Sequence, residues 1–452
     1  MKSYFKGFGV KIENKATAPV INIGTLTYDA SAKIEISQQA IFGRHCAVVG
    51  TTGGGKSYTT SKLVEGIVKN KGKAILIDAT GEYNAHDKKL YSAKPLILST
   101  NSYFPYSRLT IGDLFVLFRP SGQVQQPILL EAIKSLKLAH CIVRDYNDKM
   151  THAGNVGTLV VGGQNLVIED GCIKKQGCET APFKKAYLKY AQEIEDNSKS
   201  DFDIQKLVKQ VLFECYYDNG ATWSVNRDDR NFSNCTSLLM RINTLVNDDG
   251  FKNILGFQIQ TGAKDVVSAI EDFLKDDTKS LLRIGFENVP FSFQSREILA
   301  NSIGKFLLNQ SRTGKFKAKP VVLFLDEAHQ FLNKNVKDEY FESTELNSFD
   351  SIAKECRKYG LFLCISTQMP RDIPVGTLSQ IGTFIVHRLI NHFDKDSIAN
   401  ACSSANKSSL DFLPTLGAGE AILMGVDFPM PVTLKIDVPD TLPDSHTPQF
   451  TN

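Results

Sequence analysis

The chain has 452 residues, 52 Lys and Arg against 49 Asp and Glu, nine Cys and 42% apolar residues. That apolar share excludes wholesale disorder, and the length leaves room for about three domains. A formal charge of +3 excludes a general polyanion binder, so a polyanion would have to meet a local basic surface. The opening residues, MKSYFKGFGVKIENK, hold no apolar stretch of secretory-signal length. VVLFL (321–325) and LFLCI (361–365) are strand-sized rather than membrane-sized. The thiols are scattered without a C-x-x-C pair, and Cys172 and Cys178 lack a second ligand pair at zinc spacing. A cytoplasmic protein with no membrane segment is the expectation.

Residues 1–40 read as a short β-rich segment, a reduced barrel, with strands at VINIGTL (20–26) and AKIEISQ (32–38) around a TYDAS turn. Over 41–135 the pattern is strand–helix–strand. HCAVV (45–49) leads through GTTGGGKS into SYTTSKLVEGIVKN (57–70), which puts Leu63, Val64, Ile67 and Val68 on one face, with Gly72 placed to end the helix. AILID (74–78) follows. These strands lack polar alternation, as a parallel sheet covered on both faces requires. Residues 136–280 read as a largely helical insertion. It opens with a hairpin, TLVVGGQNLVIEDGCIKK (158–175), and continues into FKKAYLKYAQEIED (183–196). ATWSVNRDDRNFSN (221–234), which contains the only Trp, reads as an exposed loop. Strands resume over 281–438 at SLLRIGF (280–286), VVLFLDEAH (321–329), LFLCISTQ (361–368), TFIVHRL (383–389) and EAILMG (420–425). The polar tail, 439–452, reads as a mobile end. The fold class is α/β, with one domain split by the insertion.

Gly50, Thr51, Thr52, Gly53, Gly54, Gly55, Lys56 and Ser57 fit G-x-x-x-x-G-K-[ST], with a strand before and a helix after. Glycines let the backbone wrap so that several N–H groups point at one phosphate chain, and the helix adds its positive end. Lys56 is placed to reach the β- and γ-phosphates of ATP and Ser57 to offer its hydroxyl to Mg²⁺; Tyr58 completes the candidate ATP-binding set. VVLFLDEAH supplies the carboxylates. Asp326 is the candidate metal residue and Glu327 the candidate base, its pKa raised by its neighbour's charge. Both emerge at a strand's carboxyl end, where open α/β sheets bind ligands. Gln368, ending the LFLCISTQ strand, can bond both a γ-phosphate oxygen and the attacking water.

Taken in order, GTTGGGKS, DATGEY (78–83), LFLDEAH (323–329), AKECRKYG (353–360), STQMPRDIP (366–374) and IVHRLINHFD (385–394) resemble the HerA-type ATPases of the HerA/FtsK group of P-loop DNA-translocating motors. The resemblance covers about 40–135 and 280–436. It implies a RecA-like P-loop NTPase core with a mainly parallel sheet, ATP and Mg²⁺ as ligands, and a homo-hexameric ring threading double-stranded DNA. It also implies an effector partner, a nuclease or a sirtuin-type enzyme, in DNA processing or antiviral defence. Carried over, Lys56 and Ser57 are the Walker A pair, Asp326 and Glu327 the Walker B pair, Gln368 the sensor, and Arg357 an arginine that senses γ-phosphate. HerA proteins usually carry a β-barrel before the phosphate loop; here 49 residues precede Gly50. In some relatives that barrel supplies a trans arginine finger. The sole arginine before Gly50 is Arg44, read as structural, which leaves Arg388 and Arg371 as finger candidates.

Duplex tracking needs phosphate contacts rather than base readout. The candidates are Lys315, Lys317 and Lys319; Lys334 and Lys337; and Lys184, Lys185 and Lys189, each cluster competing with a plain solvated face. Asn333–Asp350 is the expected pore loop. The rival to a motor is a hexameric ring that binds ATP as a scaffold and activates an effector without moving DNA. A secretion or conjugation ATPase would bring a membrane anchor.

Overall fold

The computed structural model describes residues 19–332, 346–402 and 410–445. Eleven strands form one sheet: β1 (Val20–Leu26), β2 (Asp29–Ser37), β3 (Cys46–Val49), β4 (Lys73–Asp78), β5 (Leu96–Ile97), β6 (Leu281–Gly285), β7 (Val321–Leu325), β8 (Leu361–Thr367), β9 (Thr383–Val386), β10 (Glu420–Gly425) and β11 (Val432–Ile436). Their order is β2-β1-β11-β10-β9-β3-β8-β7-β4-β6-β5. The seven from β9 to β5 are parallel, and the remaining four continue the sheet antiparallel. Every residue of β3, β4, β6, β7 and β9 is buried, which accounts for strands without polar alternation. The helix Lys56–Lys69 turns Leu63, Val64 and Ile67 into the core and leaves Val68 partly covered.

Among the described residues, the N-terminal strands build no barrel of their own. β1 pairs with β11, Gly24 opposite Ile436, so β1 and β2 extend the main sheet. Glycine is required there, because a Cβ on Gly24 would lie 2.0 Å from the Lys435 carbonyl oxygen. The alternation in VINIGTL and AKIEISQ marks two half-buried strands, and nothing local to them says which sheet they join.

The chain leaves the sheet directly after β5, not at residue 136. The helix Gly122–Tyr146 runs through that boundary with Ile133, Leu136 and Ile142 all buried. The 136–280 region is also less helical than its composition suggests, carrying a four-stranded antiparallel sheet, Thr151–Ala153, Val156–Val161, Gln164–Glu169 and Cys172–Ile173. Gly162 and Gly163, both at positive φ, make the two-residue hairpin turn that matches strand twist. The segment 221–234, expected to be an exposed loop, is largely exposed, but its Trp223 and Asp228 turn inward and its last residues are helical. Trp223 is buried edge-on against Phe183, with the Lys175 ammonium over its ring. A helix starts at Asp229, capped by the Asp228 carboxylate. The polar run there hides a cap followed by the buried stripe Cys235, Leu238, Ile242 and Leu245.

The tail is docked as far as it is described. The Thr441 N–H donates to Glu65 Oε1 (2.7 Å), Asp440 pairs with Lys69 (3.0 Å) and the Asp444 N–H donates to the Glu82 carbonyl (2.7 Å). Residues 439–445 therefore follow the helix behind the phosphate loop. Among the described residues no helix is long and apolar enough to cross a membrane.

Arg283 on β6 is a buried tie. Its guanidinium bonds Asp78 (3.1 Å) and Asp87 (2.7 Å), with Glu287 at 3.4 Å. Burial raises the Asp78 pKa above its ordinary 3.8, against the lowering by Arg283 and by the N–H groups of Tyr83 and Gly81. Arg283→Met should cost about 3–5 kcal/mol of stability at neutral pH by leaving Asp78 uncompensated. Because the folded-state pKa of Asp78 then rises further, the deficit is full above that pKa and shrinks as pH falls toward 3.8. Urea unfolding of the variant and parent across that range measures it.

Candidate functional site: a nucleotide site at the carboxyl edge of the sheet

The segment Gly50–Gly55 lies between β3 and the helix Lys56–Lys69. Gly53 and Gly55 have φ of +73° and +114°, which other residues reach only under strain. The loop is braced from below. The Thr51 N–H and hydroxyl both donate to the Arg388 carbonyl (2.9 and 3.1 Å), the Gly54 N–H to the Thr51 carbonyl (3.1 Å), and the Gly419 N–H to the Gly54 carbonyl (3.1 Å). His387 forms the floor, so that a Cβ on Gly50 would meet its Cβ at 2.5 Å. Burial lowers the His387 pKa to about 4, so the ring is neutral. Nδ1 lies 2.9 Å from the Glu420 carbonyl and therefore carries the proton, and Nε2 accepts from the Thr59 hydroxyl (2.8 Å). Lys56 is buried, its ammonium 3.4 Å from the Thr51 carbonyl, inside the loop it would share with phosphate. Tyr58 is half-buried in the first helical turn.

β7 delivers Asp326 and Glu327 beside this loop. Asp326 is 3% exposed. Its Oδ1 accepts from the Tyr83 hydroxyl (3.2 Å), and Oδ2 has no hydrogen-bond partner among the described residues. Burial, then the charges of Asp78, Glu327 and Glu82, push its pKa well above the ordinary value. Glu327 has φ +45° and ψ +50°, a left-handed conformation that costs a non-glycine residue about 1–3 kcal/mol. Its pKa is raised first by burial, against Lys56, and then by Glu82. Desolvation, rather than repulsion from Asp326, is thus the main cause. His329 Nδ1 stands 3.3 Å from Glu327 Oε2. At the end of β8, Gln368 Oε1 accepts from the Thr52 hydroxyl (2.8 Å), which joins the glutamine to the loop's tip.

Glu82 belongs to the same cluster, and sequence reasoning gave it no role. Its Oε2 accepts from the Ser57 hydroxyl at 2.8 Å. His387 was missed too. A histidine ending an otherwise apolar strand was the available signal for it, and an acidic residue four positions beyond the β4 carboxyl end, after Gly81, was the signal for Glu82.

The arginines separate. Arg388 borders the loop, its Nε buried without a hydrogen-bond partner among the described residues. Arg371 pairs with Asp372 and Asp394 at 3.9 and 3.6 Å. Arg357 is not brought to this edge. It precedes β8 in the turn Cys356–Tyr359, whereas Gln368 follows β8, and seven extended residues span roughly 23 Å. There it lines a cavity of about 1010 Å³ with Arg44, Lys71, Lys73 and Lys319. Arg44 is held by Asp427 at 3.3 Å. Among the candidate DNA-contacting lysines, Lys315 and Lys317 are exposed, Lys319 pairs with Asp277, Lys184 pairs with Asp218 and Lys189 bonds the Tyr146 hydroxyl. Lys334, Lys337 and the expected pore loop through residue 345 lie outside the described residues.

ATP and Mg²⁺ fit these residues. The glycine cradle faces a buried ammonium, and the orphaned carboxylate oxygen of Asp326 and the Ser57 hydroxyl are both neighbours of Glu82. The described residues contain no group of three or more His, Cys, Asp or Glu side chains forming a metal cage. Mg²⁺ binds through one or two protein groups together with substrate phosphates, and Ser57 and Asp326 are groups of that kind.

The family model for the central domain of helicase HerA matches residues 21–162, and that for the HerA-like C-terminal region matches residues 311–435, together more than half of the chain. The DNA double-strand break repair helicase HerA of Pyrococcus furiosus is 22% identical over 420 residues, which cover 92% of this chain and 69% of that protein. The structure of VirB4 of Thermoanaerobacter pseudethanolicus superposes with a TM-score of 0.56 at 12% identity, covering 94% of this chain and 97% of that one. The plasmid coupling protein TrwB, solved with ADP and Mg²⁺, gives 0.50 at 12% identity, over 96% and 98%. These likenesses show an α/β P-loop NTPase fold, and with both HerA models falling on the two halves of the split sheet, the chain belongs to the HerA family of P-loop ATPases.

Proposed function

We propose that the chain is the subunit of a homo-hexameric ring that hydrolyses ATP to move along or through double-stranded DNA. The observation that carries this is the meeting of Lys56, Ser57, Asp326, Glu327 and Gln368 at one sheet edge (Thr52 to Gln368, 2.8 Å). These are the groups that turnover needs beyond mere nucleotide binding. The backbone N–H groups of Gly53–Ser57 and the Lys56 ammonium hold the phosphates. Ser57 and Asp326 would hold Mg²⁺, which would offset phosphate charge when bound. Glu327 takes the proton of the attacking water, and burial keeps its carboxylate basic enough for that task. Gln368 orients the water from the loop's tip. The HerA relative of Pyrococcus furiosus, named a DNA double-strand break repair helicase, supports DNA as the track. Association with a nuclease or another effector enzyme, in DNA processing or defence, is the extension that the family resemblance supports.

Arg357 acts, in this reading, on the neighbouring subunit's nucleotide. It stands exposed at the amino end of β8, beyond reach of its own loop, in a basic cavity. Arg388, beside Thr51, faces its own nucleotide.

Glu327→Gln should bind ATP as the parent does and lose about 10²-fold or more of steady-state hydrolysis. Lys56→Ala should weaken binding about 10- to 100-fold. Unchanged turnover or unchanged affinity, respectively, would remove these assignments. Duplex DNA should stimulate hydrolysis, and the parent should displace the third strand of a triplex; DNA-independent hydrolysis without displacement would favour the ATP-bound scaffold. Arg357→Ala should lose about 10³-fold in turnover. Mixing it with equally inactive Lys56→Ala subunits should restore hydrolysis, since each Arg357→Ala subunit next to a Lys56→Ala subunit regains an arginine. A mixture that stays inactive places Arg357 in cis.

A further inference from the structure

The Ser57 hydroxyl can point its single proton at only one acceptor, and that acceptor is Glu82 Oε2 at 2.8 Å. With the proton committed there, both lone pairs of Ser57 Oγ are left for a cation. A hydroxyl without such a partner would have to reorient when the metal arrives. Glu82 is itself held in place. Gly81, at φ +86°, turns the chain after β4. The Asp78 carboxylate accepts the N–H groups of Gly81 (2.9 Å) and Tyr83 (3.1 Å), and the Asp444 N–H donates to the Glu82 carbonyl (2.7 Å).

The next residue serves the opposite side of the same place. The Tyr83 side chain is fully buried, and its hydroxyl donates to Asp326 Oδ1 (3.2 Å), while Oδ2 remains buried and unpartnered. Two consecutive side chains thus orient the two groups proposed to hold Mg²⁺, one taking a proton and the other giving one. Glu82 lies near enough for its charge to raise the pKa of both Asp326 and Glu327. A cation placed there would feel that field as attraction.

We infer that Glu82 is a positioning residue for the divalent cation that accompanies the nucleotide, accepting the Ser57 hydroxyl proton so that Oγ presents its lone pairs to the metal. This rests on the ATP-site reading above. Groups that orient a metal ligand typically set about 10- to 100-fold of metal affinity.

The test uses the full-length Glu327→Gln protein, in which turnover is blocked, and a fluorescent ATP analogue titrated with Mg²⁺. Glu82→Ala should need about 10- to 100-fold more Mg²⁺ for half-maximal metal-dependent binding. Its affinity for the metal-free analogue should be equal or tighter, because an anion has left the neighbourhood of the phosphates. Glu82→Gln, which keeps an acceptor oxygen, should fall between the two. With Ser57→Ala also present, Glu82→Ala should shift the midpoint much less, the remainder being the lost attraction of its charge. The inference is overturned by an unshifted Mg²⁺ midpoint in Glu82→Ala, by an equal shift in the Ser57→Ala background, or by an equal loss of metal-free binding, which marks a merely structural role. If the Glu327→Gln protein binds no nucleotide at all, the ATP-site reading fails; normal binding with an unshifted midpoint defeats Glu82 alone.

Discussion

Four carboxylates, those of Asp78, Glu82, Asp326 and Glu327, are gathered where β4 and β7 end. Burial is the first cause of the raised pKa of Asp78, Asp326 and Glu327. Arg283 answers Asp78, and Lys56 draws the Glu327 pKa down. Asp326 keeps an oxygen without a hydrogen-bond partner. So much uncompensated anion in a dry place is unfavourable by itself and is held only because the surrounding sheet fixes it. The same excess makes the place complementary to a cation arriving with a polyphosphate, whose own charge then meets Lys56 and the loop's N–H groups. The cluster is therefore a deficit that the ligand fills, and it explains why so many side chains around it serve only to orient others.

The antiparallel strands share in that orientation. The floor of the phosphate loop is His387, at the end of β9, and its tautomer is fixed by the carbonyl at the start of β10. The Gly419 N–H, one residue earlier, closes on the loop's Gly54 carbonyl, and the Ile436 N–H of β11 returns to the Gly419 carbonyl. A neutral imidazole is the right brace beneath a phosphate-binding loop. It fills space and hydrogen-bonds without competing with Lys56 for the anion, whereas a charged ring in this buried place would be penalised by desolvation.

Much of this was legible in the residues. GTTGGGKS between an apolar strand and a helix gives the loop, and LFLDEAH and LFLCISTQ give the carboxylates and Gln368, because strand ends in a parallel sheet point functional groups to one edge. The positions of β1 and β2 were not legible, since alternation reports a covered face without naming what covers it. The start of the insertion was missed because a composition shift near 136 falls inside one continuous helix, Gly122–Tyr146. Trp223 lies in a loop as its polar neighbours suggest, and its burial was not legible because Phe183 and Lys175, which cover it, are some 40 to 50 residues away. Glu82 escaped for a different reason. Its importance lies in a hydroxyl 25 residues away, and no local pattern of acidic residues encodes that distance.

β8 connects the two halves of the proposed cycle. Gln368 at its carboxyl end touches the tip of the phosphate loop, and Arg357 precedes its amino end beside the basic cavity. β8 pairs through Leu361–Ile365 with β7 and through Cys364–Thr367 with β3, within a packed sheet that transmits strain. In a ring where Arg357 serves the adjacent site, a shift of Gln368 on loss of the γ-phosphate would carry to the arginine without an intervening hinge. The information that one site has fired would then reach the next through seven residues of buried backbone. This arrangement asks little of the surface, which fits a chain whose net charge is near zero and whose described lysines are in several cases already paired.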